Sequence, residues 1–448
     1  MIIKNGYIAL PDQPEFLPLD IEIRQGKIHS VGKDLPGDDL LDTAGLQIFP
    51  GAIDPHVHFN DPGFTEREDF YHGSCAAASG GVTTIIDMPC TSIPPVTSYK
   101  NLMDKLKIVS TKSVIDFGFY GGISKQIYAE NYPKTIAELA DHVMGFKCYL
   151  ISGMNSFQDL TVAELTKVMT EVKKYNRPVL LHAEDKKTVG EMTKIQQTAG
   201  TDWIHYYRSR PEEAEIIAVS DAIQAARRTE CSLHIVHIGT GAAALLLKNL
   251  ANITGETCPH YLEFNYNDFD RLGGALKTAP VVKSAKDSKE LWECLQNGTL
   301  DFMASDHAPA PSSQKDTGSA WMDYSGIPGT GTLFPYLYFK ALIQRRMSLP
   351  RFLGMTSENA ARRFGIFDRK GSIEIGKDAD FILVDPKQNW RVKGKDFLSK
   401  GKITPFENMT FTGKIIKTIV RGEVVYDNQM GIIAEPGYGE FLRPGGIK

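Results

Sequence analysis

Eight short apolar, β-branched segments limit what this chain can fold into more than any other feature. They lie at residues 48–59, 82–88, 114–120, 143–151, 178–182, 233–238, 253–262 and 302–306. Between several of them the apolar spacing changes from that of a strand to that of a helix. Leu165, Val168, Met169 and Val172 fall at i, i+3, i+4 and i+7 behind a Thr161/Glu164 capping box. Ile216, Val219, Ile223 and Ala226 form a similar stripe behind a Ser209/Glu212 pair. Eight strands with interleaved helices predict an α/β chain built on a (β/α)8, TIM-like barrel. A doubly wound open sheet is the weaker alternative, because no GxGxxG turn follows an early strand.

The chain ends read differently. Ile21 and Ile23 alternate with polar neighbours before a Gln25-Gly26 turn. Phe381 to Val384, Thr418 to Val420, an Arg421-Gly422 turn and Val424 to Tyr426 repeat the pattern near the other end. Neither end has enough strands for a sheet of its own. The predicted organisation is a small β-sandwich domain made from residues 1–50 and 365–448, flanking a barrel at 51–364.

The 448 residues carry 50 basic and 54 acidic side chains, a net charge of −4, which gives no electrostatic case for nucleic acid or an acidic membrane surface. Six scattered cysteines without a CxxC pair fit a reducing, cytoplasmic setting. No apolar run reaches the roughly 18–20 residues a bilayer span requires. The opening Met1-Ile2-Ile3 is broken by Lys4, Asn5 and Gly6 and reads as a strand, not a leader.

In such a barrel, chemistry sits where strands end. The first strand ends in His56-Val57-His58, and residues two apart share a strand face, so both imidazoles can reach one metal. A lone HxH is otherwise a surface or packing pair. Lys147 lies inside the apolar GFKCYL of the fourth strand; it is either a snorkelling stem or a buried amine able to add CO2 as a carbamate. His182 ends the fifth strand, His234 and His237 lie on the sixth, and Asp306 with His307 ends the eighth. Four histidines, a lysine and an aspartate at successive strand ends suit two divalent ions, Zn2+ by ligand chemistry, that share a hydroxide.

The set HVHFNDPG (56–63), GGVTTIIDMP (80–89), GFKCYL (145–150), LLHAED (180–185), HIVHIG (234–239), ETCPHYL (256–262) and ASDHAP (304–309) resembles the cyclic amidohydrolases, that is dihydroorotases, allantoinases and hydantoinases. The late GSIEIGKDADFILVDP (371–386) and the split β domain extend the resemblance over nearly the whole chain. It implies that His56, His58 and Asp306 hold one metal and His182 and His237 the other. Lys147, carboxylated, would bridge them. It also implies hydrolysis of a cyclic amide, with Asp306 as the catalytic proton carrier, and assembly as a homodimer or homotetramer. His234 is left as structural, and His260 as either a neighbour of the site or a packing residue.

Within that family, dihydroorotases hold a substrate carboxylate with polar residues at four positions that here are Asn60, Cys90, Ala279 and Ala310. An amide cannot replace a bidentate arginine clamp. The motifs around residues 56–63 and 87–95 resemble allantoinases most, so the expected substrate is allantoin first, a hydantoin second and dihydroorotate third, with Asn60, Ala279 and Ser152 as substrate contacts. Arg67 or Arg208 could supply charge from a loop if dihydroorotate were the substrate. A metal-free scaffold and a mononuclear deaminase on the same barrel are the rival classes. The first would lack metal ligands, and the second would not need Lys147.

Overall fold

The computed structural model describes residues 1–445. Eight parallel strands form the barrel: Ala52–Val57, Val82–Asp87, Asp116–Phe119, Phe146–Tyr149, Val179–His182, Leu233–Ile235, Ile253–Thr257 and Phe302–Met303. The third strand breaks at Tyr120. Its first part pairs with the second strand, while Gly121–Gly122 pairs with the fourth. Closure comes from the His58 N–H, which donates to the His307 carbonyl at 2.8 Å and joins the eighth strand to the first. The strands are buried on both faces by side chains inside and helices outside, which is why they read as apolar runs instead of alternating ones.

The segment at 48–59 is two strands, not one. Gln47–Pro50 belongs to the end sheet and Ala52–Val57 to the barrel. Gly51 separates them where a Cβ would lie only 2.0 Å from Thr83 Oγ1, so no side chain fits at the crossing.

Among the described residues, strands from both ends of the chain enter one nine-stranded sheet, in which eight follow one hydrogen-bonded path and Leu40–Asp42 pairs with Ile2–Ile8 beside it. Gln47–Pro50 is the seam: it pairs parallel with Ile2–Ile8 and antiparallel with Phe381–Arg391. Two hairpins carry the anticipated turns, Gln25-Gly26 at φ 50° and 72° and Arg421-Gly422 at φ 45° and 82°. Left-handed backbone at both turn positions matches the twist of the flanking strands. Phe381 and Leu383 point into a small core with Ile3, Ile21 and Ile48, while Ile382 and Val384 join the barrel core. The two-residue alternation of that strand thus fastens the sheet to the barrel.

The Thr161/Glu164 capping box forms ahead of Val162–Val172. The Ser209/Glu212 pair does not. Ser209 ends the short helix Trp203–Arg208, its hydroxyl donating to the Tyr206 carbonyl at 2.7 Å, and Pro211 takes the N-cap of Glu212–Thr229. Proline has its φ preset and no N–H to satisfy, so it displaces the serine at that boundary. Among the described residues no helix is long and apolar enough to cross a membrane.

Candidate metal centre

The strand ends bring four imidazoles into a row. Ring centroids of His58 and His56 lie 5.3 Å apart, those of His56 and His237 5.2 Å, and those of His237 and His182 4.7 Å. Asp306 Oδ1 is 3.3 Å from Nε2 of both His56 and His58. These three side chains offer ligand atoms within 4.8 Å of one another, a triad able to hold a metal ion. Further along the row, His182 Nδ1 faces His237 Nε2 at 3.1 Å.

Lys147 is fully buried on the fourth strand, its Nζ 4.7 Å over the ring of Tyr149, and that nitrogen has no hydrogen-bond partner. His56 Nε2 and His237 Nδ1 are buried and likewise unpartnered. An ammonium buried without an acceptor is expensive. Burial accordingly lowers the Lys147 pKa to about 8, against the opposing pull of the Cys90 thiol and of Asp306. Burial also drives His56 and His237 well below the ordinary imidazole range. Asp306 goes the other way: burial would raise it, but His56, His58 and His237 hold it well below the ordinary carboxylate value. The cluster therefore offers neutral lone pairs at His56, His182 and His237 and one carboxylate. At His58 burial pushes down, but Asp306 and Cys90 raise the ring to about 10, so it must give up a proton to complete the ligand set of a first-row divalent ion.

The chain's backbone is strained where these groups leave the strands. His237 sits at φ 39°, Asp306 at 47° and Asn60 at 58°. Left-handed φ outside glycine costs energy and clusters at functional sites. The sixth strand ends at Ile235, so a regular pleat no longer dictates which way His237 faces.

Around the row lies a ring of buried partners. His56 Nδ1 is 2.6 Å from Glu256 Oε1, and Glu256 Oε2 is 3.1 Å from Nε2 of His234. His234 Nδ1 is 2.7 Å from Thr254 Oγ1, so this histidine backs the site without facing it. His58 Nδ1 lies 3.2 Å from Thr91 Oγ1. His182 Nε2 lies 2.8 Å from Glu184 Oε2, and Arg210 also pairs with Glu184. Asp54 accepts from the Ser305 backbone N–H at 3.0 Å and from its hydroxyl, locking the first strand to the eighth beside Asp306. His260 is buried, and its Nε2 has no partner.

The chain matches the amidohydrolase family model over residues 47–425. It belongs to the amidohydrolase family. This amidohydrolase is 36% identical over 434 residues to the allantoinase of Rubrobacter xylanophilus, covering 95% of this chain and 94% of that one. It is 33% identical over 459 residues to the allantoinase of Enterococcus faecalis, covering 99% of both. Among solved structures, the L-hydantoinase (dihydropyrimidinase) from Arthrobacter aurescens superimposes with a TM-score of 0.93 at 29% identity, covering 99% of both chains.

Other expected positions have less freedom than the sequence suggested. Asn60 of this amidohydrolase is completely buried, and its Nδ2 donates to the His58 carbonyl at 3.0 Å, leaving Oδ1 unpartnered. The Ser152 hydroxyl donates to the Phe157 carbonyl at 2.7 Å, inside its own loop, beside a cavity of about 500 Å³. Ala279 is half-buried and precedes Pro280 through a cis peptide bond. Arg67 is packed over the rings of Phe64 and Tyr324, and its Nε donates to Gln314 Oε1 at 2.8 Å. Arg208 is exposed.

Sequence reasoning missed Glu184, Glu256, Thr91 and Arg210. Glu184 and Glu256 stand inside motifs already singled out, HAED and ETCPHYL. A glutamate in an apolar strand end is the one available signal, because a buried carboxylate demands a partner.

Proposed function

We propose that this amidohydrolase, which opens cyclic amides, acts on a neutral ureide ring of the allantoin type with the help of two divalent ions. The observation that carries the metal reading is the unpartnered Lys147 Nζ, buried within electrostatic reach of His56, His182 and His237. In this reading His56, His58 and Asp306 would hold one ion and His182 and His237 the other, with Lys147, carboxylated by CO2, as a further anionic ligand. The donor set fits Zn2+. Two such ions supply an acidified water and a polarising charge for the ring carbonyl.

The chain's own groups do the rest. Asp306, kept anionic by the imidazoles around it, takes the proton of the attacking water and delivers it to the departing ring nitrogen. The product is the ring-opened carbamoyl acid. Asn60 Oδ1 accepts from a ring N–H, and the loops at Ser152 and Ala279 border the ring. Residues 51–364 carry this chemistry, with 1–50 and 365–448 as its support.

Side chains without a positive charge at the four clamp positions support a neutral ring. Asn60, Cys90, Ala279 and Ala310 offer no charge, and Arg67 is committed to Gln314 and two aromatic rings. The allantoinase relatives favour allantoin. The hydantoinase neighbours favour a hydantoin as the second reading. Side-by-side kcat/KM values for allantoin, hydantoin and dihydroorotate with Zn2+-loaded protein test the ranking. Dihydroorotate leading by tenfold or more would overturn it. We also propose a cytoplasmic homodimer or homotetramer, supported by six unpaired cysteines for the compartment and checked by light scattering for the assembly.

A further inference from the structure

His56 and His182 are held by opposite ring nitrogens. At His56 the Nδ1 edge meets Glu256, so Nε2 is the edge turned toward Asp306. At His182 the Nε2 edge meets Glu184 at 2.8 Å, so Nδ1 is the edge turned toward His237. A neutral imidazole has one N–H and one lone pair, and a carboxylate can only accept. Glu184, charge-paired with Arg210, therefore fixes which nitrogen of His182 carries the proton and which offers its lone pair to the centre of the site.

The two glutamates are supported differently. Glu256 is shared between two histidines, with His234 on its second oxygen at 3.1 Å. Glu184 is fully buried and is paired with Arg210. The Arg210 carbonyl in turn accepts from Lys283 Nζ at 2.6 Å. Lys283 lies 3.8 Å from Glu215, and Glu215 accepts from the Gly239 N–H at 3.0 Å, two residues past His237. Two acids and two bases thus form one frame reaching from His182 to the turn that carries His237. None of these four side chains has a role in the ring-opening steps.

We propose that Glu184 is the positioning residue of the His182–His237 half of the site: it sets His182 with Nδ1 toward His237, and Arg210 holds the carboxylate in place. This rests on the two-ion reading above. The consequence is selective. Losing the Glu184 contact frees the His182 ring to turn or to change tautomer, while His56, His58 and Asp306 keep their own partners.

The test is Zn2+ retention by wild type and Glu184→Gln against a graded series of chelator, read as ions held per chain, with nitrogen NMR of isotope-labelled histidine rings reporting the His182 tautomer. Wild type is expected to hold two ions. Glu184→Gln is expected to keep one with unchanged affinity and to bind the other about 10–100-fold more weakly, the range that loss of an outer-sphere partner produces. Its His182 signal should show a smaller share of the Nε2–H form, because the amide oxygen accepts without the carboxylate's charge. If Glu184→Gln fails to fold, Glu184→Asp serves instead, because it keeps the charge beside Arg210 and draws back from the ring. Two ions held at wild-type affinity in the variant would overturn the assignment, and so would parallel weakening of both. A wild-type protein holding fewer than two ions would overturn the two-ion reading and this assignment with it.

Discussion

Two clusters of buried ionisable groups stand at opposite edges of the barrel, and they differ in one respect. At the junction with the end sheet, Lys370 Nζ lies 2.6 Å from Asp116, 2.7 Å from Asp380 and 2.9 Å from Asp378. Arg421 joins Asp116, while Arg369 and Lys27 join Asp378. Among the described residues, none of these polar atoms is buried without a partner. At the strand ends, Lys147 Nζ, His56 Nε2 and His237 Nδ1 are all left over. A cluster that closes on itself can be explained by stability alone. One that leaves several buried donors and acceptors open needs something else to complete it. Burial and charge are common to both; the unspent hydrogen-bonding capacity marks the functional one.

The sharpest way to break this contrast is Lys147→Ala. Removing an open group should leave the melting temperature within a few degrees of wild type, while bound metal falls by most of its content and turnover drops to background. Elemental analysis and a thermal melt on the same preparation check both halves. A short carboxylic acid added to the buffer should restore part of the activity by standing in for the carbamate. Full metal content with wild-type turnover would remove Lys147 from the site.

Asp306→Asn tests the one carboxylate in the row. The amide keeps the shape but cannot accept the proton, and a positioned base is worth about 10²–10⁴ in rate. A variant that retains more than about a tenth of wild-type kcat would assign the proton to another group.

Lys370→Met is the mirror experiment at the junction. It leaves Asp116, Asp378 and Asp380 close together with one cation fewer, and breaking a buried ionic group by removing one partner costs about 3–5 kcal/mol. Denaturant unfolding should show a loss of that size, while folded molecules keep their metal and their kcat. An unchanged stability, or a loss of metal that parallels the unfolding, would mean that the two clusters are not independent.

The same contrast explains what was legible in the sequence. The eight barrel strands could be read because both faces are buried and each becomes an apolar run. Lys147, His182 and Asp306 stood out because each interrupts or ends such a run with a polar group. The split at Gly51 could not be read, since two strands in different sheets with one glycine between them look like one long strand. Ser209 was misplaced because a serine three residues before a glutamate has the same pattern whether or not Pro211 pre-empts the cap. The partnerships His56–Glu256 and Lys370–Asp116 span 200 and 254 residues. Such pairs exist only once the order of strands and the packing of the end sheet are known. Asp116, Asp378 and Asp380 therefore gave no sign of their common partner.

The smallest expected effect is at Asn60, where the two kinds of role meet in one side chain. Nδ2 is spent on the His58 carbonyl and Oδ1 has no partner, so one atom serves the fold and the other is free for the proposed ring contact. The residue sits at φ 58°, which asparagine tolerates and glycine adopts freely. Asn60→Gly therefore preserves the turn and deletes both polar atoms. If Oδ1 receives a ring N–H, kcat/KM for allantoin should fall about tenfold, the equivalent of one hydrogen bond at roughly 1.4 kcal/mol, with only a small change in melting temperature. Asn60→Ala should be worse on both counts, because its Cβ must be held at a positive φ. Asn60→Arg should impair the native reaction and gain at most a trace of dihydroorotate activity, since Cys90, Ala279 and Ala310 still provide no polar partners. A glycine variant with unchanged kcat/KM and a lowered melting temperature would make Asn60 a turn residue only, and the ring N–H would then have to meet a backbone carbonyl of the surrounding loops.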